Sequence, residues 1–182
     1  KQILIIFSSL GLLCAQIQYG GTPEYYDVRY ENINFITIDK TNIIDRGFHP
    51  MVFQFGDEYD VNINVLESAT IIENSNQSIY LLGIESRDAF AIGLNFNEFI
   101  LTENSSLFFY DEDRTNYLGS FNDLNNKETL DLTTALIKSD RIIIELSIPT
   151  DDVENVNLNI DTIIHDYTDI NNYYDMMEND DR

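Results

Sequence analysis

The chain has 182 residues, 43% of them hydrophobic and 12% aromatic, which is enough apolar material for one packed domain of ordinary size. Acidic residues number 32 and basic residues 10, so the net charge at pH 7 is −22. A surface of that sign repels phosphate backbones and anionic lipids, which excludes nucleic acid as a partner. One cysteine and two histidines exclude a disulfide framework and a thiolate or histidine-rich metal cluster, and we expect no cofactor.

Residues 1–15 have the pattern of a secretory signal peptide. Lys1 precedes an apolar run at 3–13, and Cys14 and Ala15 follow it. The run is shorter than the roughly 20 residues that span a bilayer, so cleavage after Ala15 would leave no membrane attachment. Lipidation of Cys14, or a buried N-terminal strand or helix, are the alternatives. We expect a secreted, periplasmic or cell-surface protein.

Residues 16–32 predict a linker or N-terminal arm, because Gly20, Gly21 and Pro23 favour a turn there. Residues 33–168 alternate apolar and polar side chains and predict one antiparallel β-sandwich, of the jelly-roll or immunoglobulin type. We predict strands near 34–38, 51–55, 60–66, 69–73, 79–85, 89–96, 106–111, 116–121, 133–137, 141–148 and 157–165.

The same alternation predicts which side chains face the core of the sandwich. In the last strand it places Leu158, Ile160 and Ile164 on one face. The other predicted core residues are Val61, Ile63, Val65, Phe90, Ile92, Leu94, Phe96, Leu107, Phe109, Ile142 and Ile144. Residues 169–182 are rich in Asp, Glu, Asn and Tyr without apolar periodicity, so they predict an acidic tail or linker.

The sequence offers no arrangement for nucleophilic catalysis. His49 lies in a turn and His165 at a strand end, and neither accompanies a serine-nucleophile motif. We therefore expect no enzymatic activity from the chain itself, and no catalytic residue is assigned.

Asp111 and Asp113 are the metal candidates, because clustered carboxylates attract calcium. An EF-hand loop would carry Gly and Glu where this sequence has Asn116 and Asn122. A hairpin loop in contact with solvent is the favoured interpretation of this segment.

Short segments between residues 20 and 170 together resemble the N-terminal propeptide region of secreted bacterial lysyl endopeptidase-like precursors, whose catalytic part is a trypsin-like serine protease. The segments occur in a characteristic order. They are FQFG at 53–56, VNINV at 61–65, IYLLGI at 79–84, AFAIGLNF at 89–96, FIL at 99–101, SLFFYD at 106–111, GSF at 119–121, TTALIKSD at 133–140, IIIE at 142–145 and IIHDY at 163–167.

The resemblance implies a non-catalytic prodomain that helps a trypsin-like protease domain to fold and inhibits it until proteolysis. It places that protease after Arg182, so the family's catalytic residues have no positions in this sequence. Besides Ala15, the candidate processing positions are Lys127 and Arg182. Lys127 lies in a polar loop open to cleavage, whereas we expect neighbouring strands to shield Lys138.

A second interpretation uses the same fold and export signal. A free-standing secreted or cell-surface sandwich could bind carbohydrate, protein or Ca²⁺, because a fold does not determine a function. A gene that continues into a His, Asp and Ser protease domain would favour the first interpretation.

Overall fold

The computed structural model describes residues 17–26, 32–47 and 53–172. Within these ranges, ten strands form two sheets around a shared core, which confirms the predicted all-β sandwich. The strands are β1 Asn34–Thr37, β2 Gly56–Asn64, β3 Thr70–Glu73, β4 Gln77–Glu85, β5 Ala91–Ile100, β6 Ser106–Asp111, β7 Tyr117–Phe121, β8 Leu132–Thr133, β9 Arg141–Pro149 and β10 Asn157–Asp166. A four-residue helix, α1, spans Val65–Ser68, and 3₁₀ turns lie at Asp123–Asn125 and Thr150–Asn155.

The strand order shows how the chain builds the sandwich. Sheet A has the order β1-β4-β9-β6-β7, with β3 also paired to β4, and sheet B has the order β2-β10-β5-β8. From β4 onward, the chain changes sheet at every connection except the β6–β7 hairpin. The prediction of a wholly antiparallel fold is wrong at one place, because β1 runs parallel to β4. The long connection from Thr37 to Gln77 supplies the crossover that parallel pairing requires.

One apolar core fills the space between the sheets. Nine of the eleven core residues listed above are buried. Val61 is partly buried and packs against the core, whereas Phe90 is 49% exposed. Phe90 is wrongly predicted because β5 begins only at Ala91, so alternation does not extend back to it.

The prediction for the last strand is also wrong at one residue. Leu158 and Ile160 are fully buried in the core, but Ile163 takes the next core position and Ile164 is only half-buried. The pairing of β10 shifts register between Ile160 and Thr162 on both of its sides. Such an irregularity adds a residue to the count and moves the following side chains to the opposite face.

Two predicted strands differ from the structure. Residues 53–55 of the strand predicted at 51–55 are not in a strand, and 51–52 lie outside the described residues. The strand predicted at 133–137 is reduced to β8 and an isolated bridge between Ile92 and Ile137.

Sheet A is buried on both faces, which explains the nearly continuous apolar sequences of β4 and β9. Its outer face carries Ile79, Leu81, Phe108, Tyr110 and Ile143. Residues 17–26, called the arm below, run over this face and along β7, and Tyr25 and Tyr26 pack on the apolar cluster. The segment predicted as a linker or arm is therefore packed onto the sandwich in its described part.

Candidate functional site

The polar connection from Asn122 to Asp131, called the Lys127 loop below, joins β7 to β8. It begins with the 3₁₀ turn Asp123–Asn125, which Asn122 caps by accepting a hydrogen bond from the Leu124 backbone N–H at 3.0 Å. Asn125 accepts from the Asn122 backbone N–H in return, also at 3.0 Å. This reciprocal pair fixes the start of the loop in one conformation.

Asn126, immediately before Lys127, ties the loop to the sandwich. Its side-chain oxygen accepts from the Leu101 backbone N–H at 2.9 Å, and its amide donates to the Leu101 carbonyl at 2.8 Å. On the other side of Lys127, β8 begins at Leu132 and pairs with Phe96. The chain is thus attached to the core one residue before Lys127 and five residues after it.

Lys127 itself is accessible within this anchored loop. Its side chain is 49% exposed and lies 3.7 Å from the Asp131 carboxylate, and its carbonyl accepts from the Leu130 backbone N–H at 3.0 Å. A groove of about 670 Å³ lies beside it, and its lining combines Ile17, Leu124 and Leu132 with polar asparagine and threonine residues. Leu124 is 66% exposed, so an apolar surface adjoins the cation.

The other two lysines in the described residues lie elsewhere. Lys40 donates to the Arg87 carbonyl at 2.8 Å, and Lys138 donates to the Asn172 side chain at 3.0 Å. The prediction that strands shield Lys138 is wrong, because this residue is exposed in the connection between β8 and β9. Lys138 follows Ile137, whose backbone N–H and carbonyl both hydrogen-bond to Ile92, at 2.8 and 2.9 Å, and β9 begins three residues after it at Arg141. Neither lysine lines the groove beside Lys127.

A buried carboxylate holds the arm on the outer face of sheet A. Glu145 of β9 is 1% exposed and accepts hydrogen bonds from the backbone N–H groups of Glu24 at 2.5 Å and Tyr25 at 3.2 Å. The Tyr110 hydroxyl donates to the same carboxylate at 2.9 Å. Burial raises the pKa of Glu145 despite these donors, and burial together with the Glu145 charge raises the pKa of Tyr110, so the hydroxyl remains a donor.

Sequence reasoning missed a serine–histidine pair. Ser86 Oγ lies 2.7 Å from His165 Nδ1, although 79 positions separate the two residues. Ser86 is fully buried and His165 is 5% exposed. The Asp166 carboxylate accepts from the backbone N–H groups of Thr168 and Ile170 and completes no triad with them. The pair links the end of β4 in sheet A to β10 in sheet B, and both side chains are buried.

The two metal candidates, Asp111 and Asp113, differ in burial and in what their carboxylates contact. Asp111 is 3% exposed, and its carboxylate accepts from the backbone N–H of Thr115 at 2.7 Å, from the Thr115 hydroxyl and from the Asn116 backbone N–H. Asp113 is exposed at the hairpin tip. The Asp111 oxygens are thus used to close the β6–β7 turn. Residues 17–26, 32–47 and 53–172 contain no group of three or more His, Cys, Asp or Glu side chains placed to hold a metal.

Several sequence predictions lie outside the described residues. These are the signal peptide at 1–15 with Cys14 and Ala15, the turn residue His49, and residues 173–182 of the tail with Arg182. Of the tail, 169–172 is described, and Ile170 packs as a buried residue. In the described part of the chain, no helix has the length and apolar character needed to cross a membrane.

The chain was compared with known proteins. No protein-family model matches it, and no curated protein matches it.

Proposed function

We propose that this chain is a non-catalytic, exported prodomain that assists the folding of a trypsin-like, lysine-specific serine protease and inhibits it. The protease would take the Lys127 side chain into its specificity pocket. The observation that carries the proposal is the geometry of the loop: an exposed lysine lies between two anchors and beside a groove with exposed apolar side chains. The resemblance to lysyl endopeptidase-like precursors supports the same partner.

The anchors explain why such a loop would inhibit rather than serve as an ordinary substrate. A preordered loop loses little conformational freedom on binding, so more of the contact energy appears as affinity. Asn126 remains tied to Leu101 on one side of the Lys127–Glu128 bond, and Leu132 remains paired with Phe96 on the other. After cleavage these anchors would keep the new ends close together. Extension into a cleft also requires the hydrogen bond between the Lys127 carbonyl and the Leu130 N–H to open, and this cost is confined to residues 127–130 because the anchors lie outside them.

The groove beside Lys127 gives a partner a second point of contact. Buried apolar contact area at the centre of an interface contributes most of the binding energy, and the exposed side chains of Ile17 and Leu124 provide such area next to the lysine. A prodomain that binds only the folded protease lowers the free energy of that state by mass action. Binding at this surface would therefore serve both roles, inhibition and folding assistance.

The test is inhibition in trans. The mature chain, residues 16–182, is titrated against a lysine-specific trypsin-like endopeptidase, and the same chain is added during refolding of the denatured protease. We expect inhibition at micromolar concentrations or below and an increased yield of active protease. Lys127→Ala is expected to weaken inhibition at least tenfold, since it removes the side chain that enters the specificity pocket.

Lys138→Ala is the matched control, because Lys138 is also exposed and follows an anchored residue, Ile137, but does not line the groove beside Lys127. It is expected to inhibit like the unaltered chain. Fragments are mapped by mass spectrometry, with first cleavage expected after Lys127. Absence of inhibition at micromolar chain, or equal loss in both variants, would contradict the proposal.

A further inference from the structure

The amino end of the arm contacts the Lys127 loop. The Asn125 side-chain amide donates to the Ile17 carbonyl at 2.9 Å, and Ile17 lines the groove beside Lys127. Next along the arm, the Gln18 side-chain oxygen accepts from the Gly119 backbone N–H at 3.0 Å. The amino end of the arm therefore supports the 3₁₀ turn that precedes Lys127.

The middle of the arm pairs with β7, from which the loop departs. The Tyr19 backbone N–H donates to the Ser120 carbonyl at 2.9 Å, and the Ser120 N–H donates to the Gly20 carbonyl at 3.2 Å. The Tyr117 hydroxyl donates to the Gly21 carbonyl at 3.2 Å. These bonds occupy the free edge of β7, so the arm behaves as a short additional strand of sheet A.

The other end of the arm is held by Glu145. Two consecutive backbone N–H groups, at Glu24 and Tyr25, point at one buried carboxylate, and the Tyr26 ring packs edge-on against Tyr110 at 5.6 Å. Removal of this buried acceptor would leave buried donors without a partner, which costs more than the loss of an exposed hydrogen bond. Glu145 thus gives the arm an attachment in which two backbone donors share one buried side chain.

We propose that the arm is a strap that holds the Lys127 loop in its inhibitory conformation, and that Glu145 is the anchor of this strap. Release of the arm from Glu145 frees its pairing with β7, withdraws Ile17 from Asn125 and loosens the 3₁₀ turn. The Lys127–Glu128 bond then becomes an ordinary cleavage site. The inference concerns regulation of the site described above, and its biological purpose rests on the proposed function.

Hydrogen exchange and limited proteolysis of the mature chain test the coupling. Glu145→Gln keeps the shape but replaces one acceptor oxygen by an NH₂ group, which cannot accept from the arm or from Tyr110, and Tyr110→Phe removes only one donor. In both variants we expect the amides of 17–26 and 122–127 to exchange faster together. We also expect cleavage after Lys127, by catalytic amounts of a lysine-specific protease, to accelerate roughly tenfold for Glu145→Gln, the factor that the loss of one buried hydrogen bond implies.

Ile163→Val is the control for general destabilisation, because it removes one methyl group from the core on β10 without touching the arm. If it accelerates cleavage as much as Glu145→Gln does at matched stability, or if the arm exchanges faster while 122–127 does not, the strap is contradicted. Inhibition is measured separately. A chain that inhibits without this coupling contradicts only the strap, and coupling without inhibition contradicts only the proposed function.

Discussion

At the scale of single residues, Phe96 tests the core most directly. Its ring is 2% exposed and contacts Phe99 and Phe109, with ring centroids 5.5 and 6.0 Å away. Phe96→Ala should lower the free energy of unfolding by about 3–5 kcal/mol, because truncation leaves a cavity among these rings. Thermal and denaturant unfolding would measure the loss. Phe90→Ala is the matched control, since Phe90 is half-exposed and its truncation should change stability little. Equal losses of stability in the two variants would contradict the assignment of Phe96 to the core.

At the scale of elements, β1 depends on a close approach between one glycine and one ring. A Cβ added at Gly83 of β4 would overlap the Phe35 ring of β1, and the Arg141 guanidinium lies 4.1 Å from the centroid of that ring. Gly83→Ala should therefore destabilise the pairing of β1 with β4. Amide exchange of Phe35 to Ile38, together with global stability, would report the change.

A second substitution separates steric overlap from other effects of Gly83→Ala. In a Phe35→Ala background there is no ring to displace, so the added methyl group should cost much less than in the unaltered chain. Non-additivity of this kind is the expected sign of a direct contact. Equal costs in the two backgrounds would show that the ring does not set the requirement for glycine.

Elements also show what the sequence could predict. Regular alternation predicted the sandwich and most of its core, because successive side chains of a straight strand point to opposite faces of the sheet. The pattern failed where geometry is set from outside the segment: the register shift after Ile160 moved Ile163 inward, and the parallel direction of β1 depends on a distant partner. Lys127 was recognised from local polarity, whereas the Ser86–His165 and Glu24–Glu145 contacts join distant residues and leave no local signal.

At the scale of the whole molecule, two buried groups give opposite dependences of stability on pH. Burial, and then the charge of Lys40, lower the pKa of His165 from its ordinary 6.5, so its contribution is present above that value and is lost on acidification. Burial raises the pKa of Glu145 from its ordinary 4.5, so its contribution is present below that value and is lost as pH rises through the raised pKa.

A variant that lacks one of these two groups should show the pH dependence of stability that the other contributes. From pH 7 down to about 4.5, Glu145→Gln should lose stability more steeply than the unaltered chain, since the gain from protonating Glu145 is gone. His165→Asn should lose less than the unaltered chain over the same range. Denaturant unfolding at a series of pH values measures the difference in stability between each variant and the unaltered chain. The contributions of the other carboxylates cancel in this difference, because both proteins contain them. Profiles parallel to that of the unaltered chain would contradict this assignment.

The arm has a consequence for the order in which the protein forms. The hydrogen bond from Glu24 to Glu145 joins residues 121 positions apart. The hydrogen bonds of Tyr19 and Gly20 with Ser120 require β7 to be present. Although the arm is made early during synthesis, its partners leave the ribosome much later, and loop closure over such separations is slow. The arm therefore cannot dock on the outer face of sheet A until β7 and β9 have been made.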